Sequence, residues 1–319
     1  MLIDQVSENL SPYLKENEKN RFILAISGGA DSVVLLDILN KIKLQYSFDI
    51  LLIHINYGMQ KESNNAQRLC SILSSKYGFK IISKKVKLSK DNFESNARDA
   101  RYRIFNRYAK ENNFNYILTA HHRDDQIETL HMKFLDNADW VSFLGIRKKY
   151  GKILRPMLDI SKEDIYSYAN KNKLKWVEDA SNENLNYRRN NIRLNIIPEI
   201  IKNNPNHIDL LMKKHYYALK KISLLKKKIK SLKKKYIIEV NSEFLVLSNS
   251  VIEISDKVVF KVFYQDLSQN YFDYRIYSTK KHWEQFYLFI LESRTGSSFI
   301  LDKKIKISKQ KEQHSFLYN

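Results

Sequence analysis

With 319 residues, 43% of them hydrophobic, the chain is long enough for a substantial core and for two domains, which excludes a disordered tail. A formal net charge of +20 suits a polyanionic partner, and nucleic acid is preferred to an acidic membrane because no apolar run approaches the roughly 20 residues that span a bilayer. The single cysteine, Cys70, excludes an internal disulfide, a multi-cysteine metal site and chemistry needing two thiols in one chain, and is expected to pack as a small buried hydrophobe.

The opening MLIDQVSENL has neither a basic flank nor a cleavage site, so a cytoplasmic protein is expected. Short apolar runs then alternate with helical patterns. RFILAIS is followed by a helix over Ala30–Lys43, FDILLIHIN by one over Asn65–Tyr77, KIISKKV by one over Phe93–Glu111, and FNYILTA by one over Arg123–Leu135. This βαβα order predicts an α/β fold, a parallel sheet with helices on both faces. Ligands of such sheets sit at the carboxyl ends of the strands, where SGGADS, HINYG and TAHHRDDQ would lie.

RPML supplies a proline boundary, and Ser161 with Asp164 forms a capping signal for a helix starting near 161. The polar loop VEDASNENLNYRRNN follows, and Pro205 marks a domain limit, giving domains 1–204 and 205–319. Beyond it, Leu210, Leu211, Tyr217, Leu219, Ile222, Leu225, Ile229 and Leu232 recur at mostly helical spacing among lysines. A solvated face explains those lysines more simply than a dedicated RNA-gripping helix. SSFILDKKIKISKQKEQHSFLYN alternates as strands do, so the second domain reads as smaller and mainly helical with terminal strands.

Four groups of residues carry chemistry. In Ser27-Gly28-Gly29-Ala30-Asp31-Ser32, adjacent glycines allow a sharp turn, and N–H groups opening the next helix point toward an anion. No Walker lysine follows, and Asp31 would repel phosphate unless a hard cation such as Mg²⁺ bridges the two; an ordinary turn with Asp31 at a helix start is the plainer alternative. HHRDDQIET gathers His121, His122, Asp124, Asp125 and Glu128, either as a di-metal site or as a polar helix cap, and 121, 125 and 128 would share a face on a helix. Arg98 and Arg101 can lie together on a helix, as an anion site or a surface pair. Tyr187, Arg188, Arg189 and Arg193 combine guanidinium forks for phosphates with an aromatic for a base, or simply form a structured loop.

SGGADS resembles the signature of the PP-loop (N-type) ATP pyrophosphatases, of adenine nucleotide α-hydrolase-like fold, which split ATP between its α and β phosphates and adenylate a substrate. NARDARYRIF, TAHHRDDQIET, RPML and WVEDASNENLNYRRNNIRLNIIP resemble, in order and spacing, the tRNA(Ile)-lysidine synthetases over roughly the first 200 residues, and the stretch from Ser278 resembles their C-terminal domain more loosely. The resemblance implies ATP and Mg²⁺ as cofactors, and tRNA(Ile) with a CAU anticodon and free L-lysine as partners. Lysine would be ligated to C2 of the wobble cytidine through an adenylated tRNA, changing codon pairing from AUG to AUA. A membrane is not among the implied partners, and the sequence is compatible with a homodimer.

By residue, the resemblance implies that Ser27, Gly28, Gly29, Ala30, Asp31 and Ser32 hold the nucleotide, with Asp31 on the metal. Arg98 and Arg101 would stabilise the α-phosphate or departing AMP, Asp125 and Glu128 the lysine ammonium, and Tyr187, Arg188, Arg189, Arg193 and the domain 205–319 the tRNA. His121 is the first choice for the base that takes the amine proton, without the sequence deciding between it and a carboxylate. The family pattern His-x-Asn/Asp-His-Gly-Leu-Arg reads here His54-Ile55-Asn56-Tyr57-Gly58-Met59-Gln60, so no catalytic duty is assigned to Tyr57 or Gln60. Competing readings are another PP-loop adenylating enzyme, such as a tRNA thiolase or glutamine-dependent amidase, and a non-catalytic basic RNA-binding protein. The lone cysteine opposes the first, and the intact Ser27, Asp31 and Ser32 oppose the second.

Overall fold

Alternating side chains along two buried strands organise the first part of the chain. In β1 (Asn20–Ala25) and β2 (Phe48–Asn56), paired parallel with Leu24 opposite Leu52, Phe22, Leu24, Ile50 and Leu52 face one way and Ile23, Ile53 and Ile55 the other. β3 (Lys80–Lys85), β4 (Tyr116–Leu118) and β6 (Ile153–Leu154) extend the parallel sheet, and β5 (Lys149–Tyr150) closes one edge antiparallel, in the order β3-β2-β1-β4-β6-β5. One face packs against α1 (Leu2–Leu10), α2 (Ala30–Ile42), α3 (Lys61–Tyr77) and α6 (Lys162–Lys171). The opposite face packs against Phe105 and Ala109 of α4 (Phe93–Glu111). The expected α/β sheet covered on both faces is therefore present. α5 (Arg123–Leu135) follows β4, and α7 (Arg188–Asn191) runs through a π turn at Ile192–Ile196 into α8 (Ile197–Asn203).

This computed structural model describes residues 2–14, 20–43, 45–58, 61–88, 93–178, 185, 188–241 and 243–318. The chain divides into a unit running to Met132 and including Gly145–Ile208, and a second comprising Lys133–Leu144 and the chain from Asp209. A boundary at 204/205 keeps 133–144 with the first domain, whereas its contacts place it in the second. Phe143 O is bonded by His215 Nδ1 at 2.9 Å, and Asp139 accepts from Lys261 at 2.8 Å.

The second unit contains most of α9 (His207–Tyr236), then β7 (Ile237–Val240), β8 (Phe244–Ser248), α10 (Lys257–Phe272), α11 (Lys280–Glu292), β9 (Ser298–Ile300), β10 (Ile305–Lys309) and β11 (Gln313–Tyr318). The strands form an antiparallel sheet in the order β7-β8-β11-β10-β9, over a core of Phe260, Phe263, Tyr264, Phe286 and Phe316. The buried seam of α9 is Leu211, His215, Ala218, Leu225, Ile229 and Tyr236. Leu210, Tyr217 and Leu219, assigned to the apolar stripe from spacing, are exposed because His215 and Ala218 occupy the inward positions. Among the described residues, no helix is long and apolar enough to cross a membrane.

A buried carboxylate locks α2 in place. Asp37 accepts from Tyr77 at 2.7 Å and from Tyr168 at 2.8 Å, and pairs with Lys41 at 3.0 Å. Burial opposes its ionisation, but the two hydroxyls and the ammonium win and hold it below the usual carboxylate range. Its stabilising contribution is thus complete above the unfolded-state value of about 3.9 and is lost as pH falls through the depressed native one. Asp37→Asn should lower unfolding free energy by about 2 kcal/mol at pH 7 in urea melts, with the deficit shrinking below about pH 4.

Candidate active site

The turn after β1 is built around one hydroxyl. Ser32 Oγ accepts from the N–H groups of Ser27 and Gly28, both at 3.2 Å, donates to Gly29 O at 3.0 Å, and lies 3.1 Å from Ser27 Oγ. Ser27 Oγ in turn accepts from Gly29 N–H at 3.2 Å. Gly28 takes φ +91°, a left-handed conformation suited to glycine, and a Cβ there would meet Ala66 Cβ at 3.1 Å. Gly29 is the N-cap of α2 and has no side-chain cap, so the helix opens with N–H groups available to an anion. Val177 N–H donates to Gly28 O at 3.0 Å, and His54 Nδ1 lies 3.0 Å from Ile26 O, so neighbouring segments fix the turn from both sides.

Asp31, in the first turn of α2, meets the carboxyl end of β4. Its Oδ2 lies 3.7 Å from His122 Nε2, which is also 3.7 Å from Asp125 Oδ2, while His122 Nδ1 lies 3.6 Å from Asp124 Oδ2. Burial pushes Asp31 above the usual carboxylate range, and its Oδ1 is buried without a hydrogen-bond partner. Burial opposes protonation of His122, but Asp124, Asp125 and Asp31 together raise it above the ordinary imidazole value. Asp124 is held low, chiefly by His122 and also by the backbone N–H of Lys162, which donates to it at 2.8 Å. His122 therefore stands among three carboxylates that favour its protonated form.

The adjacent ring, His121, has the opposite surroundings. Burial and the charges of Arg155, Arg98, Arg189 and Arg101 hold it well below the usual imidazole range, hence neutral, and its Nδ1 lies 2.9 Å from Thr119 Oγ1. Arg98 lies 4.9 Å over the ring of Tyr102, whose hydroxyl is bonded by Arg155. Arg155 is itself buried and donates to Arg147 O at 2.7 Å. These arginines make an electropositive wall suited to an anion.

Most of the residues singled out by sequence are brought together, with changed relationships. His121 precedes α5, so it does not share a helix face with Asp125 and Glu128, which do lie on α5. Arg189 Nε donates to Glu128 Oε2 at 2.6 Å and Nη2 to Asp125 Oδ1 at 2.8 Å, joining the loop arginine to the carboxylates. Arg193 reaches Glu128 Oε1 at 4.0 Å and donates to Asn190 at 3.1 Å. Arg188 is exposed at the start of α7; Tyr187, Met59 and Gln60 lie outside the described residues. Tyr57 donates to Ala97 O at 3.1 Å. Sequence reasoning missed Arg155, Tyr102 and Thr119 as members of the cluster; each lies in a quoted segment, RPML, NARDARYRIF or TAHHRDDQIET, but was given no role there.

Among the described residues no group of three or more His, Cys, Asp or Glu is arranged to hold a metal ion alone. Mg²⁺ in phosphate sites commonly takes one or two carboxylates and completes its shell with substrate oxygens and water, and the partnerless Oδ1 of Asp31 fits that donor set.

A parallel-sheet strand, a glycine turn with a serine hub and a carboxylate at the helix start together define a PP-loop nucleotide domain, and a family model described as PP-loop domain matches residues 2–200. Among similar proteins, a tRNA(Ile)-lysidine synthase of Persephonella marina is 35% identical over 66% of this chain and 48% of its own length. One from Mycoplasma mycoides is 37% identical over 56% of this chain and 45% of its own, and one from Petrotoga mobilis 30% identical over 70% and 73%. The chain belongs to the tRNA(Ile)-lysidine synthase family of PP-loop proteins. It spans about half the length of the first two of these relatives. A solved U34-tRNA thiolase from Methanococcus maripaludis, with a 4Fe–4S cluster, shares the fold at 18% identity and a TM-score of 0.54, covering 69% of this chain and 78% of that one.

Two measurements probe this geometry. Gly28→Ala should destabilise the fold by about 1–3 kcal/mol and weaken nucleotide binding, through backbone strain and the Ala66 contact, whereas Gly29→Ala, at φ −77°, should cost far less stability. Thermal melts and nucleotide titrations of both variants check this. In an NMR titration His122 should protonate above the ordinary value of about 6.5 and shift down in Asp124→Asn, while His121 stays neutral. The stability gained from His122 is then complete below about pH 6.5 and fades as pH rises through the raised native value.

Proposed function

We propose that this chain activates the C2 carbonyl of the wobble cytidine of tRNA(Ile) with ATP and joins free L-lysine to that carbon, acting in the cytoplasm. The observation that carries the reading is the meeting of the glycine turn, Asp31, the His122 carboxylate cluster and an arginine wall at one end of the sheet. The relatives named tRNA(Ile)-lysidine synthase support it. Cys70 is buried with its thiol pushed up to about 12, and no second cysteine is present, which disfavours thiolase chemistry.

In this proposal Ser27–Ser32 seat the β and γ phosphates on backbone N–H groups and hydroxyls, and Asp31 holds Mg²⁺. A divalent ion held by Asp31 would supply positive charge to offset the phosphates. Arg98, Arg101 and Arg155 stabilise charge at the α-phosphate. The C2 oxygen bonds to the α-phosphorus as pyrophosphate departs; the lysine ε-amine then bonds to C2, and the C2 oxygen leaves with AMP. Asp125 and Glu128 receive the ammonium, which must lose a proton before attack because its ordinary pKa is about 10.4. His121 is assigned to take that proton because its ring is held neutral, although the same burial and arginines oppose its protonation; His122, whose pKa the neighbouring carboxylates raise, is assigned to hold them instead. Arg188, Arg193, Tyr187 and the second unit contact tRNA, and His122 keeps the carboxylates in register.

Incubation with ATP, Mg²⁺, labelled lysine and candidate tRNAs should place label in a single anticodon nucleoside of the CAU-bearing tRNA(Ile). Asp31→Ala should abolish pyrophosphate release while retaining tRNA binding. Normal pyrophosphate release by Asp31→Ala, or transfer of no label by the unaltered protein, contradicts the proposal.

A further inference from the structure

One guanidinium occupies the position that the proposed function gives to the substrate. Through one edge, Arg189 donates from Nε to Glu128 at 2.6 Å and from Nη2 to Asp125 at 2.8 Å, with a further contact from Nη2 to Asp125 O at 3.4 Å. The two acids stand three residues apart on α5, so a single cation bridges both. Glu128 has a side chain only 6% exposed, and a carboxylate this buried is costly to leave ionised without a partner. The carboxylates therefore require a monovalent cation whether or not substrate is present.

We infer that Arg189 is a displaceable stand-in for the substrate ammonium, holding Asp125 and Glu128 until a cationic amino-acid side chain takes them over. This rests on the proposed assignment of those two carboxylates to the lysine ammonium. An ammonium has three donors and the same charge, so it can replace the two guanidinium bonds without leaving either acid uncompensated. A neutral side chain of equal length offers no such exchange, because it would remove the two guanidinium bonds without returning a charge, leaving as ion partners among the described residues only Arg193 at 4.0 Å for Glu128 and only His122 at 3.7 Å for Asp125. Arg189 thereby becomes a specificity-determining residue, setting a threshold that only a terminal cation crosses.

The test is equilibrium dialysis of labelled lysine against the full chain without ATP or tRNA. Arg189→Met keeps the length of the stem and removes the competing charge, and should bind lysine about tenfold more tightly, the equivalent of one charged hydrogen bond no longer broken. Arg189→Gln, a second neutral variant that covers the case in which Met does not fold, should gain affinity in the same direction. Arg189→Lys keeps a cation at the site and should show no gain, and norleucine should bind none of these proteins. Unchanged or weaker lysine binding by the folded neutral variants overturns the inference. Asp125→Asn and Glu128→Gln separate this from the parent reading: if they bind lysine normally, the assignment of the carboxylates fails, whereas loss of binding there without a gain at position 189 rejects the stand-in alone.

Discussion

Asp31, Asp124, Asp125 and Glu128 meet at one end of the parallel sheet, where His122 and Arg189 offset their mutual repulsion. His122 lies 3.6–3.7 Å from three of the carboxylates, and Arg189 spans Asp125 and Glu128. The fold is arranged around this compensation. β1 delivers Asp31 through the glycine turn, the carboxyl end of β4 leads into His121 and His122, α5 carries the three other acids, and α7 returns Arg189 to them. The two adjacent histidines are separated electrostatically: acids raise the pKa of His122, whereas burial and arginines hold His121 neutral.

This division organises the chemistry. In the proposed function the arginine wall beside His121 would take the phosphates of a nucleotide, and the acids of α5 the ammonium of an amino acid. Asp31 stands where the two environments meet, with one oxygen toward His122 and the other buried without a partner. Its raised pKa follows from that position, since burial penalises a carboxylate whose counter-charge is only partly supplied by protein. A divalent ion would supply the remainder.

Much of the scaffold was legible in the sequence because its signals are local. Phe93–Glu111 and Arg123–Leu135 are periodic over many residues and form helices with those bounds, and Ser161 accepts from Asp164 N–H as its cap signal implies. β5 and β6, two residues each, are too short to leave a periodic trace. The helix over His207–Tyr236 was legible, but its inward face was not, because tertiary packing selected His215 and Ala218 over Leu210 and Leu219. The site shows the same limit. Spacing grouped Asp125 with Glu128, yet nothing local announced that Arg189, 64 residues after the first and 61 after the second, would bridge them. Arg155 was hidden likewise, since a lone arginine before proline reveals neither its burial nor its tyrosine partner.

In the proposed function the glycine turn and Asp31 together seat the ATP phosphates, with a divalent ion on Asp31. The most direct measurement is a crystal structure of the protein with a non-hydrolysable ATP analogue and Mn²⁺, whose anomalous signal locates the metal. The ion should lie on the Asp31 carboxylate, with the β and γ phosphates against the backbone of residues 27–32. A nucleotide bound elsewhere, or an ion remote from Asp31 while the turn stays empty, would contradict it.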